Sequence, residues 1–357
     1  MSKTQTYKVS EQDYVTIGKK MLMEVGVTEE DADIQIGSLL ESDRKGIYTH
    51  GLFRLNRYVE QLKHHYIKPN PDIRKVNESE TVDVFDGDHG LGAVVGYKAM
   101  REAIKKCKNN GVGIIGVHKS NHFGVAAHYA EMASKERQIG IVLTNASPAI
   151  APTGSLKPLL GNNPWSISVP THLGYPITLD MANSVASKGK IRVAKDRGEA
   201  IPLGWALDEK GTPTTDPIEA LKGIILPVGD YKGYGITLMV EILAAVLTGS
   251  HFSEQMVDHD ANDKRNVGHL FIAIDIEKFM RYEYFEGRLK ELIESIKSSP
   301  RIQADREILL PGEREWQSKL NQEDGYVHLP QKLYEALIQL YQENGIEIPK
   351  SLLVEQV

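Results

Sequence analysis

The chain has 357 residues, 41% of them hydrophobic and 25% charged, and a formal net charge of −6. That length allows two domains with cores of their own, and the negative balance leaves no electrostatic case for DNA or RNA as a partner. The single cysteine, Cys107, excludes an internal disulfide and a cysteine-based zinc site and fits a reducing compartment.

Residues 1–11 are polar and lack the apolar core of a secretory signal, so the sequence reads as that of a cytoplasmic protein. Residues 10–66 read as helical. Ser10-Glu11-Gln12-Asp13 and Thr28-Glu29-Glu30-Asp31 have the hydroxyl-then-acid pattern of helix starts, and Gly26 ends the first helix. The stretch Glu41 to Gly51 gathers acids, bases, a hydroxyl and an imidazole between glycines. After it Leu52, Leu55, Val59 and Leu62 recur at helical spacing, and His50, Arg54 and Tyr58 fall at i, i+4 and i+8 along one helix face. An imidazole, a guanidinium and a phenol in one row can move a proton, grip a carboxylate and orient a hydroxyl. For that stretch alone, a solvated helix face beside a turn competes with the functional reading.

Residues 81–85 alternate as a strand, and 93–108 follow as a helix. Gly111, Gly113 and Gly116 match G-x-G-x-x-G, but a helix precedes them and 112–117 is itself the strand, so the dinucleotide fingerprint is rejected. The strand runs into Lys119-Ser120-Asn121-His122-Phe123-Gly124, which places His122 at a junction with a helix over 125–135, where functional groups and anion sites gather. His128, six positions on, reads as an ordinary surface or core histidine. A strand from 139 leads to Ser147-Pro148 and a long turn-rich run ending Gly161-Asn162-Asn163-Pro164. Strands are expected at 165–169 and 177–181. The glycine-rich stretch 226–235, with Lys232, precedes an apolar helix over 236–247, which suits an anion site. That helix reads as a core or subunit-interface element; it carries Glu241 and is too short to span a bilayer. A strand at 268–275, helices at 277–299 and 329–345, and a turn at 309–313 complete the chain.

Thr49-His50-Gly51 with Arg54 and Tyr58, Asn121-His122-Phe123-Gly124, Ser147-Pro148, Gly161-Asn162-Asn163-Pro164, Leu179-Asp180-Met181-Ala182, Lys232-Gly233-Tyr234-Gly235 and Pro311-Gly312-Glu313 occur in that order over most of the chain. Together they resemble the type 2 malate/L-lactate dehydrogenase family, which also holds ureidoglycolate, sulfolactate and diketogulonate oxidoreductases and a cyclic-imine reductase. The resemblance implies an α/β (α+β) protein that binds a nicotinamide cofactor without a Rossmann domain. A mixed sheet flanked by helices, residues 76–284, would carry the cofactor. A mainly helical domain, 1–75, would receive 285–357 from the other chain end, and the protein would form a homodimer with sites near the subunit interface.

The resemblance also implies roles. His122 would accept the proton in alcohol oxidation, with Thr49 and His50 as the hydroxyl–histidine pair drawn as a relay. Arg54 and Tyr58 would contact substrate. Phe123, Gly124, Ser147, Asn162, Asp180, Met181, Ala182, Lys232, Pro311, Gly312 and Glu313 would bind the cofactor, expected to be NAD with NADP as the alternative. Thr49 stands where serine is common, Lys45 where arginine is usual and Asn162 where threonine is usual. These departures bear on the finer contacts and leave the reaction class intact.

The chemistry expected is hydride exchange with a small 2-hydroxy acid. Arg54 suits a carboxylate clamp, because its fork matches the group bidentately. A histidine suits the proton step, because its ordinary pKa of about 6.5 lies near working pH. Lys45 or Lys157 as a second cation would favour a dicarboxylate, and so malate over lactate. Two alternatives stand beside this: a metal-dependent hydrolase, for which neither H-E-x-x-H nor a tight His/Asp cluster is present, and a non-catalytic binding protein.

Overall fold

The computed structural model describes residues 6–256, 265–322 and 324–352; the first five residues of the polar amino-terminal segment and the last five of the chain lie outside it. Strand β1 (Thr6–Ser10) ends at Ser10, whose hydroxyl accepts the Asp13 N–H and starts helix α1 (Glu11–Glu24). Thr28 caps α2 (Glu29–Arg44) in the same way. Two short 3-10 turns, Tyr48–His50 and Leu52–Arg54, then precede α3 (Leu55–Lys63). His50, Arg54 and Tyr58 therefore do not share one straight helical row, a correction to the periodicity reading. Gly51, with ψ −141°, breaks the helix between His50 and Arg54.

Next come β2 (Arg74–Glu78), β3 (Val82–Asp86), α4 (Gly92–Asn110), β4 (Val112–Ser120), α5 (Ala126–Lys135), β5 (Gln138–Thr144), β6 (Trp165–Val169) and β7 (Ile177–Met181). A smaller lobe holds α6 (Lys188–Arg197), β8 (Ala206–Leu207), β9 (Pro213–Thr214), α7 (Pro217–Lys222) and β10 (Ile224–Ile225). Helix α8 (Tyr231–Glu241) continues into a π-helical stretch, Ile242–Val246. The chain closes with β11 (Val267–Asp275), α9 (Tyr282–Lys297), α10 (Glu313–Leu320), β12 (Tyr326–Pro330) and α11 (Gln331–Glu343).

Seven strands form one sheet in the order β2-β3-β4-β11-β5-β6-β7. Only β3 and β4 pair in parallel; the other neighbours are antiparallel, so the sheet is mixed. Gly111, at φ 84°, stops α4 and turns the chain straight into β4, as expected once the G-x-G-x-x-G match is set aside.

Helices α4 and α5 cover one face of the sheet over a core rich in alanine: Ala99, Ala103, Ala126, Ala130 and Ala133, with Tyr129 and Phe271. The approach is close enough to require glycine in the strands. A Cβ on Gly113 would lie 2.0 Å from the Ala103 carbonyl oxygen, and one on Gly140 would lie 2.2 Å from that of Ala130. The opposite face receives Val240 and Ala244 from α8 and its extension, against Leu143 and Leu270. The outer side of that helix exposes Met239, Val246 and Leu247.

A separate core joins the two chain ends. Val9, Tyr14, Leu22, Ile36, Leu39, Leu55 and Leu62 pack with Val327, Leu329, Leu337 and Tyr341. Strand β1 pairs antiparallel with β12, and neither was expected from the sequence; the helix anticipated at 329–345 begins instead at Gln331, after β12. Strand β2, exposed along its whole length, and helix α6, which buries only Ile191, were missed for want of apolar periodicity.

Gly113→Ala should lower unfolding stability by about 2–4 kcal/mol, because backbone meets backbone there. Gly235→Ala, on α8 with no atom within 4 Å of the added Cβ, should change it by less than about 1 kcal/mol. Denaturant midpoints of the two variants check this, and equal midpoints would contradict the packing account.

Candidate active site

The stretch after α2 is shaped by one buried carboxylate. Asp43, fully enclosed, accepts the Leu52 N–H at 2.8 Å and the Tyr14 hydroxyl at 2.7 Å. Burial pushes Asp43 up to about 7, against the two hydrogen bonds that favour its charged form. Gly51 lies directly on this carboxyl group, where a Cβ would sit 1.8 Å from Oδ1. Asp43 thereby holds the turn that carries Thr49 and His50. The sequence reading placed Asp43 in the stretch and gave it no role. Its signal was an acid followed seven and eight positions later by His50 and Gly51.

From that turn the Thr49 hydroxyl meets His50 Nδ1 at 2.9 Å, and Arg54 Nε donates to the Thr49 carbonyl at 2.8 Å. The His50 ring stacks on His122, with centroids 5.6 Å apart and planes 25° from parallel. Tyr58, on α3, brings its hydroxyl to 2.7 Å from His122 Nδ1. Thr49, His50, Arg54, Tyr58, His122 and Gly124 thus come together from two distant stretches. Burial, then the Arg54 charge, lowers His50 to about 4. Burial holds His122 well below the ordinary range, helped by Arg54, His50, Arg57 and Arg265. Both rings are neutral at pH 7. Arg57 and Arg265 were not singled out from the sequence.

The His122 loop is fixed from behind. The Asn121 side chain donates to the carbonyls of His89 at 3.0 Å and Gly90 at 2.9 Å. Gly92 opens α4 so close to the loop that a Cβ would lie 2.3 Å from the Asn121 oxygen and 2.5 Å from that of His122. Phe123 was expected at the cofactor; its ring is instead buried, stacked on His269 at 4.5 Å and on Tyr129 at 4.8 Å. His269 places Nδ1 2.7 Å from Thr144 Oγ1 and Nε2 2.8 Å from Ser120 Oγ. Thr144 gives its own hydrogen to the Gly268 carbonyl, so a neutral His269 satisfies both hydroxyls.

The remaining segments converge on two buried asparagines. Asn163 accepts the Ala146 N–H, next to Ser147, and donates to the Thr237 carbonyl and Glu241 carboxylate on α8. Asn183 donates its side chain to the Asn163 carbonyl and its N–H to the Asn162 carbonyl, and accepts the Val228 N–H. Ser147, Asn162, Met181, Ala182 and the loop leading to Lys232 are joined through this pair. The Ser147 hydroxyl donates to the Met256 carbonyl at 3.4 Å. Asp180 lies near the start of α5, with Glu131 and Lys45 among its charged neighbours.

Pro311 accepts the Thr178 N–H on β7, and Gly312, at φ 81°, packs on Thr178. Glu313, expected at the cofactor, gives its carboxylate to Lys297 and to the Leu310 N–H. Lys45 is also placed differently from expectation. Its ammonium lies at the end of α2, bound to Glu131, 3.4 Å from Glu41 and 4.8 Å from the Trp316 ring centre. Lys157 is exposed and paired with Glu254. Neither lysine is tied to the two histidines; His128 lies near Glu41 and Lys45 and is lowered to about 4, chiefly by burial.

A mixed sheet without a Rossmann glycine turn, and a paired-histidine site flanked by arginine, define an α/β enzyme of the non-Rossmann kind. The chain belongs to the malate/L-lactate dehydrogenase family, whose model matches residues 9–338. It is similar to the malate/(S)-sulfolactate dehydrogenase of Methanothermus fervidus, 41% identical over 330 residues, which are 92% of this chain and 96% of that one. The sulfolactate dehydrogenase structure from Methanocaldococcus jannaschii superposes with a TM-score of 0.88 at 40% identity, covering 96% and 98% of the two chains. Malate dehydrogenase from Entamoeba histolytica gives 0.91 at 29% identity, covering 97% and 100%. Relatives named for either cofactor occur. A (2R)-3-sulfolactate dehydrogenase (NADP(+)) from Chromohalobacter salexigens is 34% identical, over 80% of this chain and 87% of that one. A ureidoglycolate dehydrogenase (NAD(+)) from Escherichia coli is 28% identical, over 86% and 88%. The protein is a 2-hydroxy acid dehydrogenase, and its family implies a nicotinamide cofactor.

The buried neutral histidine sets a pH dependence. Burial lowers His269 from 6.5 to about 3. Between those values the unfolded chain binds a proton that the folded chain refuses, so this stability is complete above about pH 6.5 and falls as pH drops through the window. From pH 7 to about pH 5.5, His269→Gln should lose about 1 kcal/mol less than the natural chain. Urea unfolding at both pH values reads this; parallel losses in the two proteins would contradict it.

Proposed function

We propose that the enzyme interconverts a small dianionic 2-hydroxy acid, malate or 3-sulfolactate, with its 2-keto acid. The observation that carries this is the His122–His50–Tyr58 cluster with Arg54 bound to its turn and Arg57 and Arg265 near enough to depress His122. In this reading His122 takes the hydroxyl proton in oxidation and returns it in reduction. Thr49 and His50 orient the substrate oxygen or relay the proton. Arg54 holds the carboxylate, and Arg57 and Arg265 answer the second negative charge in place of the lysines first considered.

Nicotinamide supplies the hydride chemistry when bound. The residues present fit its anionic part. Helix α8 begins without a side-chain cap, and Lys232 is exposed in its first turn. Ser147, Asn162, Asp180, Met181, Ala182, Pro311 and Gly312 are the segments that would hold the rest. NAD is the cofactor we favour, with NADP the alternative. The exposed Met239, Val246 and Leu247 face supports a homodimer. The core built from both chain ends supports a helical domain of 1–75 with 285–357 beside a sheet domain of 76–284. The single cysteine, buried Cys107, supports a cytoplasmic setting. Membership in a dehydrogenase family displaces the hydrolase alternative.

Oxaloacetate, sulfopyruvate and pyruvate, each assayed with NADH and NADPH, test the reading. A dianion should be used with kcat/KM at least about tenfold above pyruvate, the equivalent of one modest ion pair; equal or better use of pyruvate would reject the dianion. His122→Ala should lower kcat by roughly two to four orders of magnitude. Arg54→Ala should lower kcat/KM for the keto acid on the order of 10- to 100-fold. Near-normal kinetics in either variant would remove that residue from its role.

A further inference from the structure

His122 has two ring nitrogens, and their surroundings differ. Nδ1 faces the Tyr58 hydroxyl at 2.7 Å and the Gly124 backbone N–H at 3.4 Å. A peptide N–H can only donate, so Nδ1 accepts, and the neutral ring carries its hydrogen on Nε2. Tyr58 then donates to Nδ1 as well. Among the described residues Nε2 has no hydrogen-bond partner, and it is the nitrogen left open to a substrate. Tyr58 itself is buried beneath the site, 2% exposed, with its ring 6.2 Å from that of His122.

We propose that Tyr58 is a positioning residue that acts on the reaction through His122, by keeping Nδ1 hydrogen-bonded in every protonation state of the ring so that Nε2 is the nitrogen that exchanges a proton with the substrate. The inference rests on the reading of His122 as the proton-transfer group, and it replaces the direct substrate contact that resemblance implied for Tyr58.

The proton balance shows why a hydroxyl is needed there. In reduction the substrate oxygen gains the Nε2 hydrogen, while a bound nicotinamide would supply the hydride. The ring that gives this hydrogen is the doubly protonated one, its second proton taken up from solvent on Nδ1, because loss from the neutral ring would leave an imidazolate. After transfer the remaining hydrogen sits on Nδ1, and Nε2 holds a lone pair, the form required to accept a proton in oxidation. In the charged and product states Nδ1–H must find an acceptor. The Gly124 N–H cannot accept, whereas the Tyr58 hydroxyl can turn from donor to acceptor. Tyr58 thus serves every protonation state of the ring, and phenylalanine at that position would serve none.

Two measurements test this. In the ligand-free protein labelled with 15N-histidine, proton–nitrogen correlation spectra at neutral pH should show His122 with an unprotonated Nδ1; the signal is assigned by its loss in His122→Gln. In Tyr58→Phe the neutral ring should keep its hydrogen on Nε2, because the Gly124 N–H still faces Nδ1. Tyr58→Phe should also lower kcat about 10- to 100-fold while KM for the keto acid changes less than about threefold, as for a lost hydrogen bond to a group that becomes charged. A natural protein with hydrogen on His122 Nδ1 would overturn the inference whatever the variant does. So would a Tyr58→Phe enzyme with normal kcat and a raised KM, the mark of a substrate contact. The spectra need no turnover, so they stay decisive for the tautomer even if no 2-keto acid is reduced, a result that would remove the functional reading alone.

Discussion

The hydrogen bond between Tyr58 and His122 spans 64 residues and crosses from the core of the chain ends to the core of the sheet. Everything assembled at the site depends on that crossing being short. Two glycines permit the close approaches on either side of it: Gly51 lies against the Asp43 carboxylate, and Gly92 brings its backbone against that of the His122 loop. Asp43 completes the arrangement from inside the helical core. Its carboxylate ties Tyr14 of α1 to the Leu52 N–H, so the turn bearing Thr49 and His50 is fixed to the helices and does not float above them. A buried acid with one oxygen unpartnered is a costly device, and its position beneath the His50 turn gives that cost a purpose.

Much of this was legible in the residues. Ser10 and Thr28 announced α1 and α2 through local capping chemistry, which needs no tertiary partner. Gly111 was correctly a helix stop before a strand, because the elements on either side contradict a nucleotide loop. Strands β1 and β12 were not legible. Each has five residues, and each is a strand only because the other lies beside it, with Thr6 and its partner Pro330 324 positions apart at one end of the register. The row of His50, Arg54 and Tyr58 was right in its members and wrong in its geometry, since spacing cannot report that Gly51 interrupts the helix.

The segments proposed for the cofactor divide along the same line. Resemblance pointed to Ser147, Asn162 and Met181 and placed Asn163 within a motif without a role, but it did not point to Asn183; these two asparagines tie the segments to one another. Their partners are backbone groups of remote loops, and any sequence offers backbone groups everywhere. Lys45, Phe123 and Glu313 show the converse. Each lies within or just before a motif, yet its side chain meets Glu131, His269 or Lys297 and stabilises the frame. A motif marks a stretch of chain; which side chains in it reach a ligand is decided by the direction each leaves the backbone.

The charges around His122 bind these points to the chemistry. In the free enzyme, burial and the cations Arg54, Arg57 and Arg265 oppose a second proton on the ring. A carboxylate placed against Arg54 offsets part of that field, and a second anionic group offsets more. Linkage then requires that anion binding and proton uptake by His122 favour each other. A reductase needs the ring charged when a keto acid is present and has no use for it otherwise. A monoanion would relieve only part of the repulsion from three guanidinium groups, so the dianion preference proposed above and the readiness of the proton would follow from one electrostatic arrangement.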